Sequence, residues 1–220
     1  MVIRLAVYLI GLSINALGIA LTIFSTAGVG SWDAAAIGMN NYFGLTIGTW
    51  TIAIQVLIVV TTKIIERKRF QYGSMLAIII RSIFLDVWMY LIFNHIEIPS
   101  SLVIQWLVFL LGTLAIGIGI GIYIEAKFPK SPVDGLMLAL HHRFHWNLNV
   151  SRIVVELGGT LLGFLLGGPV GLGTLIIALF VGKIIQLVNS KIKKILNHER
   201  MHPSAKMNSD PNTPKSAESL

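Results

Sequence analysis

The chain has no cysteine, so disulfides and thiolate chemistry are excluded and redox usage says nothing of compartment. Charge is also scarce: 12% of the 220 residues are Asp, Glu, Lys or Arg, where soluble domains carry about a quarter. No phosphate-binding loop, nucleophile elbow or dinucleotide fingerprint occurs, so neither an enzyme nor a cofactor is expected. What is abundant is apolar surface, at 55% hydrophobic residues. That excess describes a membrane protein, and runs near the roughly 20 residues needed to cross a bilayer point to helices.

Six spans are predicted, at about residues 5–24, 47–62, 72–93, 102–124, 150–166 and 172–188. The basic residues sit at their ends and alternate in side. Arg4 precedes the first span; Lys63, Arg67, Lys68 and Arg69 come after the second; Lys127, Lys130 and Arg143 after the fourth; Lys191, Lys193, Lys194, Arg200, Lys206 and Lys215 after the last. The connections at 25–46, 94–101 and 167–171 carry none. The positive-inside rule therefore puts both termini in the cytoplasm. It also accounts for the net charge of +7 without nucleic acid. The N-terminal run has the look of a signal peptide, but its place in an internal repeat makes it a retained span. Residues 198–220, with Pro203, Pro211 and Pro214 among Ser, Asn and Lys, are expected to form a disordered cytoplasmic tail.

Two connections, 28–45 and 125–149, are too long for tight turns and too apolar for solvated loops. They are copies of one another. "GVGSWDAAAIG" lies against "SPVDGLMLAL", pairing Asp33 with Asp134, Phe43 with Phe144, Ile52 with Ile153 and Gln55 with Glu156. Gly11 and Gly18 pair with Gly112 and Gly119, and "GSMLAII" with "GTLIIAL", which sets Asp86 opposite Gln186. Three spans per copy make an odd number, so the second copy is inverted in the membrane, as in many secondary transporters. Proline stops a helix before it and Asp caps a helix after it, predicting short helices at 34–43 and 135–144 with Asp33 and Asp134 as their caps.

These segments, "GLSINALGIALTI", "GVGSWDAAAIG", "SPVDGLMLAL" and "GGPVGLGTLIIALFVGKIIQ", resemble the YczE/YyaS/YitT family of bacterial integral membrane proteins over about residues 5–188. The resemblance implies a multi-pass protein of the bacterial plasma membrane and names no substrate. Lys127-Phe128-Pro129-Lys130 departs from the glycine-containing approach expected before the second break.

Candidate residues emerge from the cost of polarity in lipid. Arg81 and Asp86 fall within the third span, and Gln55 and Glu156 at matched places in the second and fifth. Ionisable groups at a helix centre cost about 2.5–3.5 kcal/mol to insert and are usually functional or paired. Arg81 has Asp86 or Glu156 as candidate partners, and Arg152 stands four residues from Glu156. Asp33 and Asp134 either bind a solute through the repeat symmetry or only cap their helices. Gly117, Gly121, Gly159, Gly163 and Gly167 suit close helix packing within a bundle or a homodimer seam. His141, His142 and His145 suit interfacial residues better than a metal site, having no further ligand near in sequence. "HERMH" at 198–202 spells the zinc-protease signature, but it lies where the last span leaves the membrane with nothing to enclose a substrate.

The expectation is an all-helical membrane protein of six transmembrane helices, arranged as two inverted three-helix repeats (1–97 and 98–197) plus a tail, each repeat with a short broken or interfacial helix. Its partner is the lipid bilayer. Secondary transport of a small polar or charged solute is the expected function, with a non-transporting scaffold or regulator as the alternative. The predicted pathway residues are Asp33, Gln55, Arg81, Asp86, Asp134 and Glu156, with no catalytic residue, metal or cofactor.

Overall fold

The computed structural model describes residues 2–66, 72–96, 101–126 and 131–201, and all secondary structure among them is helical. The helices are α1 (Val2–Ser25), α2 (Ser31–Phe43), α3 (Ile47–Glu66), α4 (Tyr72–Asp86), α5 (Leu102–Glu125), α6 (Pro132–Phe144), α7 (Leu148–Leu165) and α8 (Leu172–Met201). A π-helical turn, Val87–Ile92, and a 3-10 turn, Phe93–His95, continue α4. Five segments among the described residues are long and apolar enough to cross a membrane: Arg4–Ser25, Ile47–Glu66, Gly73–His95, Leu102–Glu125 and Leu172–Lys191. Helix α7 has 18 residues and carries Arg152 and Glu156. Helix α8 continues into the segment expected to be tail, and residues 202–220 lie outside the described residues.

Both sequence breaks produce a short helix, but each begins three residues before its predicted start. Gly30 (φ −58°, ψ 149°) and Ser131 (φ −59°, ψ 142°) are the extended residues before α2 and α6, and neither makes a side-chain cap bond. The capping role expected of Asp33 and Asp134 is therefore corrected: each is the third residue inside its helix. Proline suits the first helical position, where its missing N–H costs nothing, so Pro132 opens α6 instead of preceding it. A carboxylate in the first turn still meets the positive end of the helix dipole.

The ends of these helices repeat as well. Gly44 and His145 both take positive φ, 70° and 56°. Asn40 Nδ2 donates to the Leu45 carbonyl, and His141 Nδ1 bonds the carbonyl of Trp146. Thr46 Oγ1 accepts from the Thr49 N–H at 3.1 Å, and Asn147 Oδ1 from the Val150 N–H at 2.8 Å. Every member of these pairs stands 101 positions from its counterpart. Losing such a cap costs about 1 kcal/mol. Asn147→Ala is expected to lower the melting temperature in detergent by a few degrees, and Asn147→Thr, the residue of the first copy, to restore it.

The two copies meet where α1 crosses α5. A Cβ on Gly11 would meet Gly119 O and Tyr123 N at 2.9 and 2.7 Å, and one on Gly18 would meet Gly112 O and Ile116 N at 2.7 and 2.5 Å. Rising numbers on α1 meet falling numbers on α5, so the helices are antiparallel. Around this crossing α2 packs on α7 and α3 on α6, while α4 packs on α1 and α8 on α5. One pairing lacks its counterpart: α3 packs along α4, whereas α7 and α8 lie apart. The small-residue spacings are filled within the chain. Gly117 and Gly121 receive Ile184 and Val188 of α8; Gly159 and Gly163 receive Trp32 and Ala34 of α2. A homodimer would need another face.

The molecule is apolar outside and partly polar within. Leu57, Leu76, Leu111, Leu161 and Leu175 are exposed, as lipid-facing residues are, while Asn15, Thr22, Ser31, Thr51 and Gln55 are buried. Ala16, Ala34, Ala35 and Phe109 fill the tightest part of the core.

Candidate functional site

Beside the α1–α5 crossing lies a cavity of about 340 Å³. Its walls come from both copies at matched places: Gly30 to Asp33 and Ser131 to Asp134 from the two breaks, Gln55 and Glu156 from α3 and α7, Ala77 and Ile177, Ile78 and Ala178, Arg81 and Val181 from α4 and α8. Five of the six predicted pathway residues, Asp33, Gln55, Arg81, Asp134 and Glu156, are thereby brought together. Tyr123 and Ile124 line it near the end of α5.

The charged groups find partners that sequence separation hides. Arg81 Nη2 stands 4.0 Å from Asp33 Oδ1, so its ion pair is with the first break and not with Asp86 or Glu156. Ser31 Oγ donates to Glu156 Oε2, tying the start of α2 to α7. The guanidinium of Arg152 reaches α8 instead, where Nη1 lies 3.0 Å from the position a Cβ on Gly182 would take. The cavity therefore presents the Arg81 guanidinium together with the carboxylates of Asp33 and Glu156.

Asp86 is placed elsewhere. It lies at the start of α3, where Oδ2 accepts from Thr46 Oγ1 at 2.6 Å and Oδ1 from the Gly48 N–H at 2.8 Å. A Cβ on Gly48 would stand 2.6 Å from this carboxylate, so only glycine lets it approach. The Ile47 N–H donates to Tyr90 Oη at 3.2 Å beside it. Helix α3 begins with free N–H groups, and a carboxylate from α4 satisfies them.

Among the described residues, half of those with a buried polar atom that has no hydrogen-bond partner line the cavity. The atoms are Trp32 Nε1, Thr51 Oγ1, Gln55 Oε1, Arg81 Nη2, Ser82 Oγ and Ser151 Oγ. Trp32, Gln55 and Arg81 belong to its walls, and Gln55 is 4% exposed. Native proteins leave few such groups without a protein, water or ligand partner. The sequence reading missed Asn15, Tyr123, Arg152 and Gln186 as lining. Two of these had a signal: Arg152 stands one turn before Glu156, and Gln186 opposite Asp86.

The histidine cluster and the tail motif add nothing to the site. His141 is engaged with Trp146, the counterpart of the Asn40 bond, and His198 to Met201 of "HERMH" continue α8, while His202 lies outside the described residues. Residues 127–130, the departing approach to the second break, also lie outside them.

Residues 2–190 match a family described as of unknown function, DUF6198. The chain is 31% identical over 212 residues to the uncharacterized membrane protein YczE of Bacillus subtilis strain 168, covering 96% of this chain and 97% of that one. It is 32% identical over 180 residues to the uncharacterized protein YyaS of the same strain, covering 82% and 89%. An uncharacterized protein of Haemophilus influenzae is 30% identical over 191 residues, covering 87% and 85%. No solved structure matches the chain.

Proposed function

The chain belongs to the DUF6198 family, whose relatives include the membrane protein YczE, and we propose that it is a secondary transporter of a small polar or charged solute. It works as two inverted three-span repeats, with α7 as the sixth span, in a bacterial plasma membrane with both ends of the chain in the cytoplasm. At 1.5 Å per residue α7 is about 27 Å long, close to the hydrocarbon thickness. The antiparallel crossing of α1 and α5, which are counterparts, supports the inversion. The alternation of basic loops supports the orientation.

The observation that carries this reading is the cavity lined at matched places by both copies, which brings together Arg81, Asp33 and Glu156, Arg81 standing within an apolar span. Ionisable groups in such a place mark a solute or ion pathway. Interrupted elements from two inverted repeats, meeting at a shared site, are how transporters present one site to both sides. The volume suits a small metabolite. Arg81 and Asp33 offer both signs of charge, so the site holds a polar solute by paired contacts, and rocking of one repeat against the other exposes it in turn.

The test is a thermal-shift screen of the purified protein in detergent against amino acids, organic acids, sugars, cations and organic amines across pH, with hits carried into uptake by proteoliposomes. A ligand at 100 times its dissociation constant stabilises the folded state by about 2.7 kcal/mol. The expected result is a stabilising solute that accumulates in the vesicles and loses its effect in Arg81→Gln. A folded protein with no hit, or a hit never taken up, overturns the transporter reading in favour of a scaffold.

A further inference from the structure

Asp86 stands outside the cavity that other residues of α4 line, whereas its repeat counterpart is part of the lining. It ties α3 to α4 through Thr46 and the Gly48 N–H at the end of the bundle where α4 finishes. The cavity extends the opposite way, toward the end of α5 and the start of α6, where Tyr123, Ile124 and Ser131 line it. The counterpart of Asp86 is Gln186, in the register that also sets Ala77 opposite Ile177 and Ile78 opposite Ala178 across the cavity. Gln186 is exposed and lines the cavity; it holds no such tie to the start of α7. Both starts carry their own cap, Thr46 accepting from the Thr49 N–H and Asn147 from the Val150 N–H, so the tie through Asp86 is what the second copy lacks.

The packing differs in the same sense. Helices α3 and α4 pack together, and each carries a buried hydroxyl without a hydrogen-bond partner, Thr51 on α3 and Ser82 on α4. Their counterparts α7 and α8 lie apart, with Arg152 in place of Thr51 reaching Gly182 in place of Ser82. The two copies are thus in different states at equivalent places: one latched, the other open.

We propose that Asp86 and Gln186 are the latches of two alternating gates. In the state described, Asp86 on the N-terminus of α3 holds the α3–α4 gate shut. In the other state this latch is released, Ser82 and Thr51 become accessible, and Gln186 takes the corresponding place on the N-terminus of α7, closing α8 over the cavity. The closed latch is a charge-assisted hydrogen bond and the open one a neutral amide, which makes the described state the resting one. This inference rests on the transporter reading and predicts the second conformation from the first.

The absence of cysteine makes the test clean. Single cysteines are introduced at Ser82, buried on α4, and at Ala178, on the cavity wall, and their rates of reaction with a charged, water-soluble thiol reagent are measured in detergent. In the otherwise unchanged chain Ala178→Cys is expected to react and Ser82→Cys to resist. Adding Asp86→Asn is expected to raise the Ser82→Cys rate at least tenfold and to slow Ala178→Cys. Gln186→Glu, which disturbs no existing bond, is expected to move both rates in the same directions by strengthening the opposite latch. Rates that do not respond to Gln186→Glu in a folded protein, or that rise together in both backgrounds, overturn the proposal. Uptake of a solute with unresponsive cysteines would sink the latches and leave the transporter reading standing. Reciprocal rates in a protein that takes up no solute would do the reverse.

Discussion

Gly119→Val is expected to abolish a folded, monodisperse protein in detergent, while Gly158→Val leaves folding unchanged. A Cβ at position 119 would lie 2.4 Å from Asn15 N and 2.7 Å from Gly11 O, both backbone atoms of α1. No rotamer change relieves such a clash; the helices must separate. Between helices in lipid there is no hydrophobic driving force to hold a loosened contact, because lipid tails solvate the freed surface as well as a neighbouring helix does. The cost therefore exceeds the roughly 1–3 kcal/mol usual for overpacking. Because α1 and α5 join the two copies, the loss spreads to the cavity. Gly158 lies on α7 with nothing within 4 Å of its added Cβ, and it controls for the general effect of a β-branched residue in a helix. Size-exclusion profiles and melting temperatures of the two variants decide the matter. A Gly119→Val protein that elutes and melts like the parent would remove the crossing from its central place.

That crossing shows where sequence reading works and where it stops. The spacing of Gly11, Gly18, Gly112 and Gly119 is visible as part of a repeat, because close backbone approach admits little else than glycine. The partners are not visible: glycine spacing says that something packs tightly, and the same signal at Gly117 and Gly159 fitted a homodimer seam as well as the helices α8 and α2 that fill it. The two short helices were legible because Pro, Asp and Gly interrupt apolar runs. Their start was misplaced because Ser-Pro-Val-Asp reads equally as a stop with an Asp cap or as a helix opening on proline with Asp in its first turn.

Asp86 and Glu156 mark the limit most clearly. Both stood out in the sequence as ionisable groups in apolar spans, with nothing to distinguish them. Their roles diverge through partners 40 and 125 residues away, Thr46 for one and Ser31 for the other. Asp86 meets the start of a helix whose N–H groups need an acceptor, while Glu156 meets the start of α2 beside the cavity. Side-chain pairing across helices is decided by their rotation and depth, which hydropathy does not encode. The same is true of Arg81, for which two partners were in view and a third, Asp33, lies nearest.

The strongest functional effect is expected at Glu156. Glu156→Gln should reduce solute uptake at least 100-fold while shifting the melting temperature by no more than a few degrees. The substitution keeps the side-chain shape, and the amide oxygen still accepts from Ser31 Oγ, so the tie between α2 and α7 survives. It also makes the two copies alike, since Gln55 already occupies the matched place on α3. What is lost is the one group of that pair able to change its charge. If proton binding at Glu156 drives uptake, the variant retains solute binding in the thermal-shift assay but no longer accumulates solute when a pH gradient is imposed on the vesicles. Retained binding with lost accumulation identifies Glu156 as the coupling group, whereas loss of both makes it part of the solute site. Uptake that is unchanged, with the gradient still effective, takes Glu156 out of the mechanism and leaves Asp33 with Arg81 as the charged centre to be tested next.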